Sequence, residues 1–117
     1  MHLGELTQAM DDFVRTKGWY EEDSPRQQTP RNIAISLSLE ASEILEHFQW
    51  GEQSRDKAEL AGELADVALY LMQLARLNEI DLEKAVLELF LFYEVEYPDI
   101  IISCVMALNT NLAVFIY

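Results

Sequence analysis

Apolar residues recur every three to four positions along most of this chain, the period of helices that each bury one face. Leu3, Leu6, Met10, Phe13 and Val14 mark a first helix over about residues 3–17, which Gly18 stops. Thr29-Pro30 reads as an N-cap followed by proline at the first helical position, opening a second helix that runs to about Phe48. After a turn over residues 49–55, which contains Gly51, a third helix runs from about Asp56 to Leu77, and Asn78 closes it. Gly62 inside that helix costs about 1 kcal/mol relative to alanine unless close packing requires it. Asp81 can cap a fourth helix through Leu82, Val86, Leu89, Phe90 and Tyr93, which Tyr97-Pro98 ends. The expected architecture is all-α, a four-helix-type bundle over residues 1–98. Residues 99–117 form an apolar extension, read as packed on the same domain or on a partner subunit, with a short helix, a strand or an extended arm all open to it.

Two acidic pairs break into this apolar pattern, Glu40-x-x-Glu43 and Glu63-x-x-Asp66. At about 100° per residue, Ser36, Glu40, Glu43 and His47 fall within a stripe roughly 60° wide. Ile33, Leu37, Ile44 and Phe48 border it on one side and Ile35 and Leu39 on the other, while Ser38, Ser42 and Glu46 form the opposite, wet face. The third helix repeats the arrangement with Glu59, Glu63, Asp66 and Tyr70, with Leu60, Leu64, Val67, Leu71 and Leu74 along one edge and Leu69 beyond the other. A solvated charged face is continuous, whereas these acids read as notches in core-facing surface.

Composition narrows the fold and the partners. At 117 residues, half of them hydrophobic, with four Gly and three Pro, the chain suits one helical domain. A formal net charge of −13 argues against binding a nucleic-acid polymer or an anionic membrane. Cys104 is the only cysteine, so no intrachain disulfide can form, and the first residues lack the basic-then-apolar pattern of a secretory signal. A cytoplasmic location is expected. The tail has nearly the length of a membrane span, but Asn109-Thr110-Asn111 divides it and no basic flank anchors it.

Acids in apolar surroundings need a positive partner or a raised pKa. Only eight Lys and Arg occur in the chain, too few to expect four neutralisations in one place. Magnesium takes oxygen ligands and keeps waters, so two carboxylates from each of two packed helices suit a Mg²⁺–triphosphate complex, with Mn²⁺ as a possible substitute. A di-iron bundle needs Glu-x-x-His, but His47 stands four residues after Glu43, and His2 belongs to no such motif. His47 reads instead as a hydrogen-bonded histidine beside the site or in the core.

The stretch TPRNIAISLSLEASEILEHFQW from Thr29 to Trp50, with ELADVALYLMQLA from Glu63 to Ala75, resembles the MazG-type nucleotide pyrophosphohydrolases, in particular their small single-domain dCTP-pyrophosphatase-like branch. The resemblance covers about residues 3–98. It implies an all-α enzyme that assembles as a dimer or tetramer and hydrolyses a nucleoside triphosphate between its α and β phosphates. Glu40, Glu43, Glu63 and Asp66 would be its Mg²⁺ ligands, and deoxynucleotides or modified nucleotides its substrates. Trp19 and Trp50 match positions where such enzymes set aromatics around the base. Arg31 and Asn32, at a helix start, are candidates for phosphate or base contacts, with His47 nearby. One of the four acids, or Glu59, is a candidate to accept the proton of the attacking water.

One departure stands out. Ahead of Tyr-Pro such enzymes commonly carry Lys, Asn and Arg where this chain has Leu89, Tyr93 and Glu94, so two positive charges are missing. That feature favours the alternative function, a nucleotide-binding or oligomeric helical module weakened in catalysis.

Overall fold

The computed structural model describes residues 2–96, apart from the side chain of Glu94, and all regular structure among them is helical. The elements are α1 (Leu3–Thr16), α2 (Pro30–Glu46), α3 (Lys57–Leu77) and α4 (Leu82–Glu96). The chain divides after Leu82 into two compact units, Met1–Leu82 and Glu83–Tyr117. The boundary expected near Pro98 and the apolar extension 99–117 lie outside the described residues. Among those described, no helix is long and apolar enough to cross a membrane.

Local signals set the helix ends. Gly18 takes φ +66°, the left-handed conformation that suits a residue just past a helix. The Thr29 hydroxyl accepts the Asn32 N–H at 3.2 Å, and Pro30 occupies the first turn, where its missing N–H costs nothing. Asp56 caps α3 by accepting the Ala58 and Glu59 N–H groups at 2.7 and 3.1 Å. These bonds hold its carboxyl below the usual range, with the neighbouring His47 adding to the effect.

The core of the first unit joins Met10 and Val14 of α1 to Met72 of α3, with Leu3, Trp19, Tyr20 and Leu82 packed around them. Its α2 and α3 run antiparallel, for Ser36 and Tyr70 share a cleft, Glu43 meets Glu63, and His47 lies beside Asp56. Ile33 is buried, and Leu37, Ile44, Leu60, Val67 and Leu74 are half-buried. Ile35, Leu39 and Leu69, on the other edge of the acidic stripe, are exposed, and so are Leu64 and Leu71 at the outer side of the first edge. The expectation that both edges face the core is therefore corrected: among the described residues it holds for Ile33, Leu37, Ile44, Leu60, Val67 and Leu74, whereas Ile35, Leu39, Leu64, Leu69 and Leu71 are exposed.

Candidate functional site

The antiparallel pairing brings Glu40 and Glu43 of α2 against Glu63 of α3, with one carboxylate oxygen from each within 4.8 Å of the others. Glu40 and Glu63 are half-buried, whereas Glu43 and Asp66 are exposed, so the notch is shallower than the helical wheel suggests. Partial burial raises the Glu40 pKa above the ordinary value, and the charges of Glu43 and Asp66 add to the rise. Glu63 is raised in the same way, by desolvation first, then by the charge of Glu43 and a hydrogen bond with it, then by Glu40 and Asp66. Asp66 thus acts on the trio electrostatically from outside it. Among the described residues no Lys, Arg or His forms an ion pair with any of these four acids.

Asp11 shows what a neutralised acid looks like in the same molecule. It is fully covered, and its carboxylate accepts hydrogen bonds from Arg15 Nε at 2.8 Å and Tyr20 Oη at 3.0 Å, with Arg76 at 3.8 Å. Burial pushes its pKa up, but those bonds and the two guanidinium charges outweigh burial and leave it below the usual value. The Tyr20 hydroxyl is raised to about 12 by burial and by the same carboxylate. Among the described residues, the four acids of the α2–α3 notch have no such cationic partners. An all-oxygen, mutually repelling set open to solvent fits a hard divalent cation, and the nitrogen ligands of a di-iron centre are not part of it.

Two clefts flank the acids. The first, about 290 Å³, is lined by Trp19, Arg26, Gln28, Asn32, Ser36 and Tyr70. Ser36 stands one turn before Glu40 and Tyr70 one turn after Asp66, so at 1.5 Å per residue the cleft lies about 6–10 Å along the helices from the carboxylates. Its wall is the loop after α1, where the Gln28 N–H donates to the Trp19 carbonyl at 2.7 Å. Asn32 Nδ2 donates to the Gln27 carbonyl at 2.9 Å, tying the start of α2 to that loop. The second cleft, about 280 Å³, lies at the other end of α2 and contains His47, Trp50, Gln53 and Arg55.

The residues expected around a substrate are thus divided between two places. Trp19 and Asn32 line the first cleft, His47 and Trp50 the second, and Arg31 is exposed and lines neither. Trp19 also serves the core, with its ring edge-on to Phe13 at 5.7 Å, whereas Trp50 is 91% exposed. His47 is buried, and its Nδ1 has no hydrogen-bond partner among the described residues. Glu59 is exposed and paired with Arg55 at 3.1 Å, outside the trio. Arg26 and Gln28 were not singled out by the sequence; their only signal was their place in the polar loop between Trp19 and Thr29.

No family model matches the chain. It is 36% identical over 87 residues to dCTP pyrophosphatase 1 of Homo sapiens, covering 67% of this chain and 51% of that protein. The Bos taurus protein of the same name is 38% identical over 76 residues, 57% of this chain and 45% of its own. The chain therefore spans about half the length of the curated relatives it matches. A pyrophosphatase from Archaeoglobus fulgidus of known structure superposes with a TM-score of 0.69 at 35% identity, over 84% of this chain and 94% of that one. An all-helical chain with this likeness belongs to the MazG-like, dCTP-pyrophosphatase-type family.

Proposed function

We propose that the protein hydrolyses nucleoside triphosphates between the α and β phosphates, releasing a nucleoside monophosphate and pyrophosphate, with deoxynucleotides or their modified forms as substrates. The observation that carries this reading is the unneutralised acidic group between α2 and α3, one nucleoside's length from a cleft lined by an indole and amide side chains. Glu40, Glu43, Glu63 and Asp66 would hold Mg²⁺, with Mn²⁺ as a substitute. A divalent ion held there would lower the pKa of bound water and draw charge from phosphate oxygens. The raised pKa values of Glu40 and Glu63 make either a better proton acceptor than an ordinary carboxylate. Glu59 is the weaker candidate, since Arg55 already engages it. The Trp19 indole offers a face for the base at little entropic cost, and Asn32 and Gln28 offer hydrogen bonds beside it.

The exposed apolar edge of the α2–α3 pair supports a homo-oligomer, a dimer or a tetramer, whose contacts lie close to the acids. A cytoplasmic location is part of the same reading. The rival, a binding or oligomeric module weakened in catalysis, draws on α4, where Leu89 and Tyr93 are exposed at positions that would otherwise carry polar groups for phosphate and sugar. Pyrophosphate release measured across the eight common ribo- and deoxyribonucleoside triphosphates, with Mg²⁺ and with EDTA, separates the two. Mg²⁺-dependent release supports the hydrolase, and binding without release supports the module.

A further inference from the structure

Among the described residues, one buried side-chain atom lacks a hydrogen-bond partner, the Nδ1 of His47. His47 is only 5% exposed, and it lines the second cleft together with Trp50, Gln53 and Arg55. Other buried polar side chains are satisfied: Asp11 by Arg15 and Tyr20, Gln73 by Gln28. Asp56, the carboxylate beside His47, already accepts the Ala58 and Glu59 N–H groups. A buried nitrogen left without a partner costs stability, so the imidazole is held at the cleft with hydrogen-bonding capacity unused. Arg55 stands exposed in the same cleft, paired with the exposed Glu59. A surface pair of that kind is weak and yields to a more highly charged anion.

The order of groups along α2 points to which anion that is. Ser36 lines the first cleft, Glu40 and Glu43 belong to the acidic group, and His47 lines the second cleft, all on one stripe of the helix. His47 follows Glu43 by about 6 Å and Glu40 by about 10 Å along the axis. With the nucleoside at the first cleft and the α phosphate at the acids, the β and γ phosphates extend toward the second cleft. We propose that His47 and Arg55 bind those two phosphates, and the pyrophosphate they become, at the second cleft. This rests on the hydrolase reading for the identity of the anion and goes beyond it by placing the leaving group at the far end of α2. A guanidinium and an imidazole N–H there supply charge-assisted hydrogen bonds in a chain that has Leu89 and Tyr93 where similar enzymes carry polar groups. Glu46 also lines the cleft and opposes a bare anion, so pyrophosphate should bind as its magnesium complex.

The test titrates magnesium pyrophosphate into the ¹⁵N-labelled full chain and follows the imidazole nitrogens by NMR. The chain has two histidines, so the exposed His2 is the internal control. Calorimetry then gives Kd for magnesium pyrophosphate and for dCMP in the wild type, Arg55→Gln and His47→Gln. The His47 signals should shift while those of His2 stay in place. Either substitution should weaken pyrophosphate binding by about tenfold, the size of one charge-assisted hydrogen bond, and leave dCMP binding within about twofold. Arg55 is exposed, so Arg55→Gln keeps the test decisive if His47→Gln fails to fold. His47 signals that do not move, pyrophosphate affinity unchanged in Arg55→Gln, or a loss of dCMP affinity in its place overturns the inference while leaving hydrolysis standing. Absence of turnover on all eight common triphosphates overturns the hydrolase reading, and the pyrophosphate titration, which needs no turnover, still decides the site.

Discussion

Replacing Glu40 with glutamine removes one charge from the acidic group while keeping the side chain's size. Its carboxylate shares a region 4.8 Å across with those of Glu43 and Glu63. Two unit charges at that separation repel by about 0.9 kcal/mol in the dielectric of water and about 3.5 kcal/mol at the effective value typical near a protein surface. The exposure of Glu43 and Asp66 brings screening, so the lower figure is the better guide. Glu40→Gln should therefore stabilise the metal-free protein by about 1 kcal/mol. It should also shrink the stabilisation that saturating Mg²⁺ gives, which for the wild type is about 3 kcal/mol at a hundredfold excess over Kd. Urea denaturation followed by tryptophan emission, in EDTA and in Mg²⁺, measures both quantities. A variant less stable than the wild type in EDTA, or one that keeps the full Mg²⁺ increment, would refute the ligand assignment.

Three further outcomes follow from the same structure. A Cβ added at Gly62 meets nothing within 4 Å, so Gly62→Ala should stabilise α3 by about 1 kcal/mol in denaturant titrations; a loss of stability would mean that another surface already covers that face. Trp50→Ala should leave stability within about 0.5 kcal/mol, given its exposure, and should leave binding of a dNTP with Mg²⁺ unchanged in a fluorescence titration, since Trp50 lines the other cleft from Trp19; a loss of about 1–3 kcal/mol would place the base at the second cleft instead. Because their folded pKa values are raised, Glu40 and Glu63 bind protons more tightly in the folded than in the unfolded state. Their contribution to metal-free stability falls as pH rises through the carboxylate range, and it is present below the unfolded value near about 4.3. Glu40→Gln should accordingly gain more over the wild type in EDTA at about pH 7 than at about pH 4.5, and an equal gain at both would contradict the shift.

What the sequence discloses here is what short-range chemistry decides. The Thr29-Pro30 start, the Asp56 cap, the Gly18 stop and the Asn78 end lie within a residue or two of their expected places, because each depends on neighbours in the chain. The helical wheel likewise put Glu40, Glu43, Glu63 and Asp66 on facing stripes. It gives direction, not depth, so it could not tell that Glu43 and Asp66 would be exposed, or that Ile35 and Leu39 would remain uncovered. Asp11 looked like any acid near the start of the chain; its burial depends on Arg76 from α3 and Tyr20 from the loop. The pairing of Gln28 with Gln73 left no periodic trace for the same reason. Trp19 and Trp50, equivalent as isolated indoles, come to line different clefts.

The central claim is that the carboxylates of α2 and α3 hold a divalent ion and direct hydrolysis to the α–β bond of a nucleoside triphosphate. Phosphorus NMR of dCTP incubated with the full chain reads the products directly. In Mg²⁺ the expected spectrum shows dCMP and pyrophosphate accumulating in equal amounts, with no turnover in EDTA or with Glu63→Gln. Formation of dCDP and inorganic phosphate, turnover that persists in EDTA, or undiminished turnover by Glu63→Gln would contradict it.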